Sequence, residues 1–204
     1  MHATNLDSLP GSQERSTFHD IQNFIIYLGP SSIKELKFLL NIWRWTIGPI
    51  GDGFQLAIFG GDSKAQERIH KLACEFHLEE SVRVLPALSV SQLANIFRAC
   101  RAVIHSTRLS PWGGTMRLAL ASGKPVVGIE TRLTDALLGS AGYLIPQAGN
   151  DEQLERSLTA ALISVSIEDS LADSLSKLAF QRAEKWNASH FSKALVQLYE
   201  KLVL

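Results

Sequence analysis

Short apolar segments alternate with amphipathic segments from Asn23 to about residue 163. Apolar runs of this length, separated by helical patterns, are typical of strands that are buried on both faces of a parallel sheet. Six segments predict such strands: FIIYLG (24–29), FQLAIFG (54–60), VRVLP (82–86), AVIHS (102–106), PVVGI (125–129) and YLIP (143–146). Because parallel strands need right-handed crossover helices, the pattern predicts a doubly wound, Rossmann-like α/β sheet of about six strands.

The segments between these strands have the period of amphipathic helices. In SSIKELKFLLNIWRW the apolar positions fall on one helical face, and they are Ile33, Leu36, Leu39, Leu40 and Trp43. Three helix starts carry a capping-box pattern, at Ser32-x-x-Glu35, Ser63-x-x-Gln66 and Ser89-x-x-Gln92. After Pro146 the pattern is helical throughout, with Asn150 as a predicted cap and a last helix near 189–204.

Composition supports one domain with a short leading segment. The chain has 204 residues, 46% of them hydrophobic, which is enough to bury a sizeable core. Residues 1–22 are rich in Ser, Gly, Pro and Asn, and we interpret them as a flexible tail or linker that precedes a domain over 23–204. The two cysteines, Cys74 and Cys100, lie in predicted helix faces, and we expect both to be core thiols in a reducing cytoplasm.

Charge excludes some classes of partner. Twenty Lys and Arg residues balance twenty Asp and Glu residues, so the chain has no net field that would attract nucleic acid or an anionic membrane. No apolar run approaches the roughly 18 residues of a membrane span, so no transmembrane segment is expected. Anion binding, if it occurs, must therefore come from a local site.

Small residues crowd the loops that follow three of the predicted strands. The helix after the fourth strand begins at Gly113-Gly114-Thr115, and the other two strands end at Gly60-Gly61 and at Gly29-Pro30-Ser31-Ser32. In a doubly wound sheet, ligands bind at this edge, where helix N-termini offer unpaired amides and a partial positive charge to a phosphate. The alternative is that the glycines only form tight turns between strands and helices.

Other side chains give weaker indications. Trp43 is expected in the core and Trp45 to be partly exposed, whereas Trp112 either packs against a ligand ring or fills its own loop. His105 ends the fourth strand and is either a donor to a ligand or a satisfied core histidine. The six histidines have no metal-ligand spacing, and neither a Gly-x-Ser-x-Gly nor a Gly-x-Gly-x-x-Gly motif is present.

The order of these segments resembles the C-terminal, nucleotide-sugar-binding domain of GT-B glycosyltransferases, the large group that includes glycogen synthases and many bacterial sugar transferases. The resemblance covers about residues 23–200, and the segments that carry it are YLG (27–29), FGGD (59–62), VRVLPALS (82–89), STRLSPWGG (106–114) and LALASGKPVVG (118–128). It implies a nucleotide-diphosphate sugar as the ligand and no further cofactor. On this resemblance the backbone at Gly113, Gly114 and Thr115 faces the donor phosphates, with Lys34 as an additional cation.

The sequence departs from the pattern of this family at several positions. The family carries two glutamates eight positions apart, one beside the donor sugar and one on the ribose, and here those positions are Ser110 and Leu118. Pro30 stands where the family has an arginine, and Asp135 loosely matches an acidic position after the fifth strand. Ser110 remains among the predicted donor-binding residues, and no catalytic residue is assigned.

Two hypotheses on function follow from the resemblance. The first is that the chain is the C-terminal half of a nucleotide-sugar-dependent glycosyltransferase, whose acceptor is left open. About 22 residues precede the first strand, so the N-terminal Rossmann-like half is expected from a longer chain or from a partner. The second hypothesis is a catalytically inactive domain of the same fold that acts as a binding or assembly module.

Overall fold

The computed structural model describes residues 23–29, 32–108, 113–147, 149–185 and 192. Six strands lie within these residues: β1 (Asn23–Tyr27), β2 (Phe54–Gly61), β3 (Val82–Pro86), β4 (Ala102–His105), β5 (Val126–Ile129) and β6 (Gly142–Ile145). Each of the six overlaps a strand that the sequence predicts. Their boundaries differ from the prediction by no more than two residues at either end.

Helices follow the first five strands, and two more helices follow the sixth. They are α1 (Ile33–Ile50), α2 (Ser63–Glu75), α3 (Val90–Ala99), α4 (Gly113–Ala121), α5 (Arg132–Leu138), α6 (Asp151–Ile167) and α7 (Asp169–Glu184), with a short 3-10 helix at Gly139–Ala141. The predicted tail at 1–22 lies outside the described residues, and so does nearly all of the last predicted helix near 189–204.

The six strands form one parallel sheet in the order β3-β2-β1-β4-β5-β6. The chain builds outward from β1 to β3, then returns to the other side of β1 and builds outward again. This reversal of strand order between β1 and β4 opens a crevice at the carboxyl ends of the strands. The doubly wound α/β fold is therefore confirmed, and its reversal point defines where a ligand would lie.

The sheet separates two apolar layers, which we call the α1 layer and the α4 layer. Side chains alternate along β1, so Ile25 and Tyr27 enter the α1 layer with Trp43, whereas Ile26 enters the α4 layer with Phe97. Helices α1, α2 and α6 cover the first layer, and α3, α4 and α5 cover the second. Burial of β1, β4 and β5 on both faces explains why they read as continuous apolar runs, whereas the edge strands β3 and β6 are only partly buried.

Helix caps follow the sequence pattern closely, with one correction. Ser89 and Gln92 form both halves of a capping box, and the Asn150 side chain accepts a 2.9 Å bond from the Gln153 amide. The predicted cap at Ser63 is wrong by one position, because Asp62 accepts a 2.8 Å bond from the Ala65 amide and Ser63 is the first helical residue. A carboxylate is as good a cap as a hydroxyl.

The prediction for one of the two cysteines is also wrong. Cys100 is buried, as expected, but Cys74 is exposed. The buried stripe of α2 consists of Ile69, Leu72 and Ala73, and the next residue turns to the outer face of the helix. The predictions for Trp43 and Trp45 are confirmed, because Trp43 is fully buried and Trp45 is 64% exposed.

Candidate functional site

A cavity of about 720 Å³ lies at the carboxyl edge of the sheet, beside the reversal of strand order. Its lining comes from the ends of β1 and β2, the segments that follow β1, β2 and β3, helices α2 and α3, and the first turn of α4. It consists of Tyr27, Leu28, Gly29, Ser32, Phe59, Gly61, Asp62, Ala65, Arg68, Ala87, Leu88, Leu93 and Thr115. This volume is within the range of sites for small molecules and cofactors.

The end of β1 forms one border of the cavity and is held firmly to β4. The Leu28 amide donates a 2.8 Å bond to the Ile104 carbonyl. The Leu28 carbonyl oxygen lies 2.5 Å from Nδ1 of His105, and since a carbonyl only accepts, Nδ1 carries the proton. A Cβ atom at Gly29 would overlap the Tyr27 phenol ring, so a residue without a side chain is required for this close approach.

Tyr27 contributes a buried phenol to the same border. Burial raises the pKa of Tyr27 well above its usual range, and the negative charge of Glu35 raises it further. A tyrosine phenol is protonated at neutral pH in any case, and the raised pKa keeps Tyr27 a hydrogen-bond donor into alkaline solution as well.

The end of β2 forms a second border, where the chain turns sharply into α2. Gly61 has φ +61°, a left-handed conformation that glycine adopts at little cost. The Gln66 side chain donates a 3.2 Å bond to the Gly61 carbonyl, and Asp62 caps the helix. These contacts fix the turn without placing a large side chain in the cavity.

The cavity lining combines apolar walls with one cation. Phe59, Leu88 and Leu93 are partly buried and pack against the α4 layer. Arg68 is exposed on α2 and is the only Lys or Arg among the lining residues that the structure describes. Apolar surface beside positive charge suits a ligand that joins a ring to an anionic group.

The position before α4, residue 112, lies outside the described residues, whereas four neighbouring helices have described caps. Side-chain oxygens of Ser32, Asp62, Ser89 and Thr131 accept bonds from amides in the first turns of α1, α2, α3 and α5. Helix α4 begins with Gly113-Gly114, and a Cβ atom at Gly114 would meet no atom within 4 Å. Thr115, in the same turn, lines the cavity.

The structure brings together only part of the predicted site. Gly29, Gly61 and Thr115 line the cavity, whereas Lys34 is exposed in the first turn of α1 and is not part of the lining. Gly60 precedes Gly61 in β2. Gly113 and Gly114 stand next to Thr115 at the start of α4.

The remaining predicted residues do not line the cavity or lie outside the residues that the structure describes. His105 is 1% exposed and bonds to Leu28, a position that fits the core-histidine alternative better than contact with a ligand. Ser110 and Trp112 lie outside the described residues. Leu118 is half-buried and packs against the α4 layer, and Asp135 is exposed on α5.

The sequence analysis did not assign Asp62 or Arg68 to the site, nor the apolar side chains of Phe59, Leu88 and Leu93 that line the cavity. Arg68 lies within a helix and not in a strand-end loop, so the glycine-rich loops give no indication of it. The helical period gave a usable signal, since Arg68 is three residues after Ala65 and the two share one face of α2.

Two further observations concern the residues that the structure describes. No group of three or more His, Cys, Asp or Glu side chains is arranged to hold a metal ion in the parts of the chain that the structure covers. Among the helices described, none combines the length and apolar character that crossing a bilayer requires.

Several solved structures share this architecture. A pneumococcal O-GlcNAc transferase, GtfA, in complex with UDP and GlcNAc is 14% identical, with a TM-score of 0.71 over 90% of this chain and 36% of that one. Sucrose-phosphate synthase from Thermosynechococcus elongatus is 18% identical, with a TM-score of 0.74 over 96% of this chain and 49% of that one. Anabaena HepE in complex with UDP and glucose is 17% identical, with a TM-score of 0.70 over 95% of this chain and 53% of that one.

At these identities the likeness shows the fold, and the chain spans between 36% and 53% of the length of these three proteins. No curated protein matches the chain in sequence. The family model for group 1 glycosyl transferases matches residues 13–178, which is well over half of the chain. By this match, the chain belongs to the group 1 glycosyl transferase family.

Proposed function

We propose that the chain is the donor-binding domain of a glycosyltransferase and that its cavity binds the nucleoside diphosphate of a nucleotide sugar. The observation that carries this proposal is the cavity of about 720 Å³, which lies at the reversal of strand order and is bordered by the first turn of α4. UDP is the first nucleotide to test, because two proteins of the same fold are described in complex with UDP and a sugar.

The two kinds of lining match the two parts of such a ligand. Phe59, Leu88 and Leu93 offer apolar contact to a base and ribose. The amides at Gly113 and Gly114 and the hydroxyl of Thr115 are donors at a helix N-terminus, where a diphosphate is stabilised by hydrogen bonds and by the helix dipole. In a transfer reaction the same donors would stabilise the charge that develops on the leaving diphosphate.

The acceptor and the rest of the cleft require a second half, which we propose comes from a longer chain or from a partner. The chain spans about half or less of the related structures. Three large apolar side chains are exposed in the first turns of helices at the carboxyl edge of the sheet: Ile33 (54%), Val90 (78%) and Leu133 (53%). Single exposed apolar side chains are normal on a protein surface, and in this proposal these three would contact the second half.

A second candidate is a catalytically inactive module of the same fold. The observation that favours it is Leu118, which stands where the resemblance places a ribose-binding glutamate and which packs against the α4 layer. A leucine accepts no hydrogen bond from a ribose hydroxyl. On this alternative the domain binds a protein partner, and the cavity contributes nothing to that binding.

Calorimetric titration with UDP, ADP and GDP tests the proposal. The wild-type protein is expected to bind at least one of them with saturation. Gly114→Val places a branched side chain at the entrance to the first turn of α4, so the affinity is expected to fall about tenfold or more. The matched control is Gly48→Val, because Gly48 is also an exposed helical glycine whose added Cβ would meet no atom within 4 Å.

The two candidates give different results in this experiment. Gly48→Val should retain the wild-type affinity within about twofold. If the folded wild-type protein binds none of the three diphosphates, the donor-binding proposal is wrong and the assembly module is favoured. If Gly114→Val binds as tightly as the wild type, the diphosphate does not lie at the start of α4.

A further inference from the structure

We infer that Arg68 is the residue that neutralises the phosphate charge of the ligand in this cavity. This inference rests on the proposed function and adds the identity of the cation. Ala65 and Arg68 line the cavity from one face of α2, because they are three residues apart, and Asp62, the N-cap of this helix, lines it as well. That face therefore borders the cavity for its first two turns.

The two charged residues that line the cavity at α2, Asp62 and Arg68, have different structural roles. The Asp62 carboxylate accepts a 2.8 Å bond from the Ala65 amide, so it serves the helix as its N-cap. A carboxylate in this position is stabilised by the partial positive charge of the helix N-terminus. Arg68, more than one turn further along, is therefore the charged lining residue that suits an anion.

Other cations near the carboxyl edge of the sheet are placed less favourably. Lys34 and Lys64 are exposed in the first turns of α1 and α2 and do not line the cavity. The Arg108 guanidinium forms an ion pair with the Asp151 carboxylate, with 2.6 Å between nitrogen and oxygen, so its charge is already paired at the start of α6. The cation that the resemblance expects after β1 is thus supplied from the helix after β2.

The chemistry of a guanidinium fits this role. It presents five N–H donors in a planar fork that matches two phosphate oxygens at once, and it remains charged at every physiological pH. A guanidinium can bind a phosphate oxygen with some of these donors while others keep a contact within the protein. An ammonium group carries the same charge without the fork, so Lys at this position should substitute only in part.

The test compares Arg68→Gln and Arg68→Lys with Lys71→Gln in calorimetric titrations with UDP at several KCl concentrations. Lys71 is an exposed cation on the same helix that does not line the cavity, so its variant removes an equal charge without removing a lining side chain. Arg68→Gln is expected to weaken UDP binding about tenfold to a hundredfold, which is typical for the loss of a charge-assisted hydrogen bond. Arg68→Lys is expected to lie between Arg68→Gln and the wild type.

Two further readouts separate a charge contact from a structural effect. Arg68→Gln should reduce the dependence of UDP affinity on salt, and Lys71→Gln should leave both the affinity and the salt dependence close to wild type. The unfolding midpoints of all three variants should stay near that of the wild type, because both residues are exposed.

The possible failures are distinguishable. If the wild type binds no nucleotide, the proposed function fails and this inference fails with it. If the wild type binds UDP and Arg68→Gln binds it equally well, only the assignment of Arg68 is overturned. The same conclusion follows if Lys71→Gln weakens binding as much as Arg68→Gln does, because the effect would then be the loss of overall charge.

Discussion

The imidazole of His105, at the end of β4, donates a 2.5 Å hydrogen bond from Nδ1 to the carbonyl oxygen of Leu28, which follows β1. The two residues are 77 positions apart in the chain, and the bond joins the two central strands at the point where strand order reverses. Leu28 lines the cavity, so a side chain that lies in the core positions part of the candidate site.

Replacing His105 by Leu should lower both stability and ligand affinity. The buried Leu28 carbonyl loses its donor, which costs about 1–3 kcal/mol in the free energy of unfolding. Urea unfolding measures this loss, and UDP titration is expected to show weaker binding because the cavity border is less well fixed. The control is His70→Leu on the exposed face of α2, which should change stability by about 0.5 kcal/mol or less. Equal stabilities for the two variants would contradict a bond of this strength.

The neighbouring tryptophans of α1 should respond very differently to substitution. Trp43 is fully buried, and its indole Nε1 donates a 3.0 Å bond to the Ser81 hydroxyl. Trp45 is 64% exposed, with the Arg44 guanidinium 5.3 Å from its ring centroid. We expect Trp43→Phe to lower the free energy of unfolding by about 1–3 kcal/mol and Trp45→Phe to change it by about 0.5 kcal/mol or less. Chemical unfolding followed by circular dichroism measures both, and a larger loss for Trp45→Phe would refute the assignment of faces.

The two thiols should react at very different rates in the native protein. Cys74 is exposed and Cys100 is buried, with its Sγ donating a hydrogen bond to the Phe97 carbonyl. A thiol reagent at neutral pH is expected to modify one cysteine rapidly and the second only after unfolding. In Cys74→Ser the rapid phase should disappear, and rapid modification of Cys100 in that variant would mean that it is accessible.

Alkaline pH should destabilise the protein through Cys100. Burial raises the pKa of the Cys100 thiol to about 12, and the positive charge of Lys124 offsets only part of this increase. In the unfolded chain a thiol ionises near pH 8.5, so between about pH 8.5 and 12 the native state holds more protons than the unfolded state. The free energy of unfolding therefore decreases as pH rises through this window and is unaffected by this group below it.

Cys100→Ala isolates this contribution, because the variant lacks the group that titrates. Its unfolding free energy should decline less steeply above about pH 8.5 than that of the wild type, as measured by urea unfolding at a series of pH values. Tyr27 also has a raised pKa and contributes to the remaining slope. Identical slopes in the two proteins would show that the thiol ionises as readily in the native state as in the unfolded chain.

Leu118→Glu tests what the missing carboxylate means for ligand binding. The wild type is expected to bind UDP and a dideoxyribose analogue of UDP with similar affinity, because leucine cannot bond to ribose hydroxyls. The variant should prefer UDP by about tenfold, at a stability cost of about 1–3 kcal/mol for a partly buried carboxylate. Leu118→Gln controls for side-chain size, and a variant without any preference for UDP would place the ribose away from this part of α4.

The sequence was sufficient for the strands and insufficient for the site, and particular residues show why. Strands such as β4 and β5 are buried at every position, so an apolar run bounded by polar residues located them within one residue. Ser63 and Cys74 were misplaced because a shift of one position in a helix turns a side chain by about 100°. Leu28, Arg68 and Thr115 all line the cavity, but they are far apart in the sequence and no local sequence pattern connects them. The strand order brings them to the same edge of the sheet.

The two apolar layers on opposite faces of the sheet meet at the cavity, where Tyr27 belongs to the α1 layer and Leu28 to the α4 layer. A molecule bound there touches both, and it stabilises only the folded chain. Ligand bound in the cavity would therefore offset the loss of stability caused by a mutation in either layer, for example at Trp43 or at Phe97. The liganded protein should tolerate core mutations that unfold the empty one, so abundant ligand would widen the range of sequences that this fold can accept.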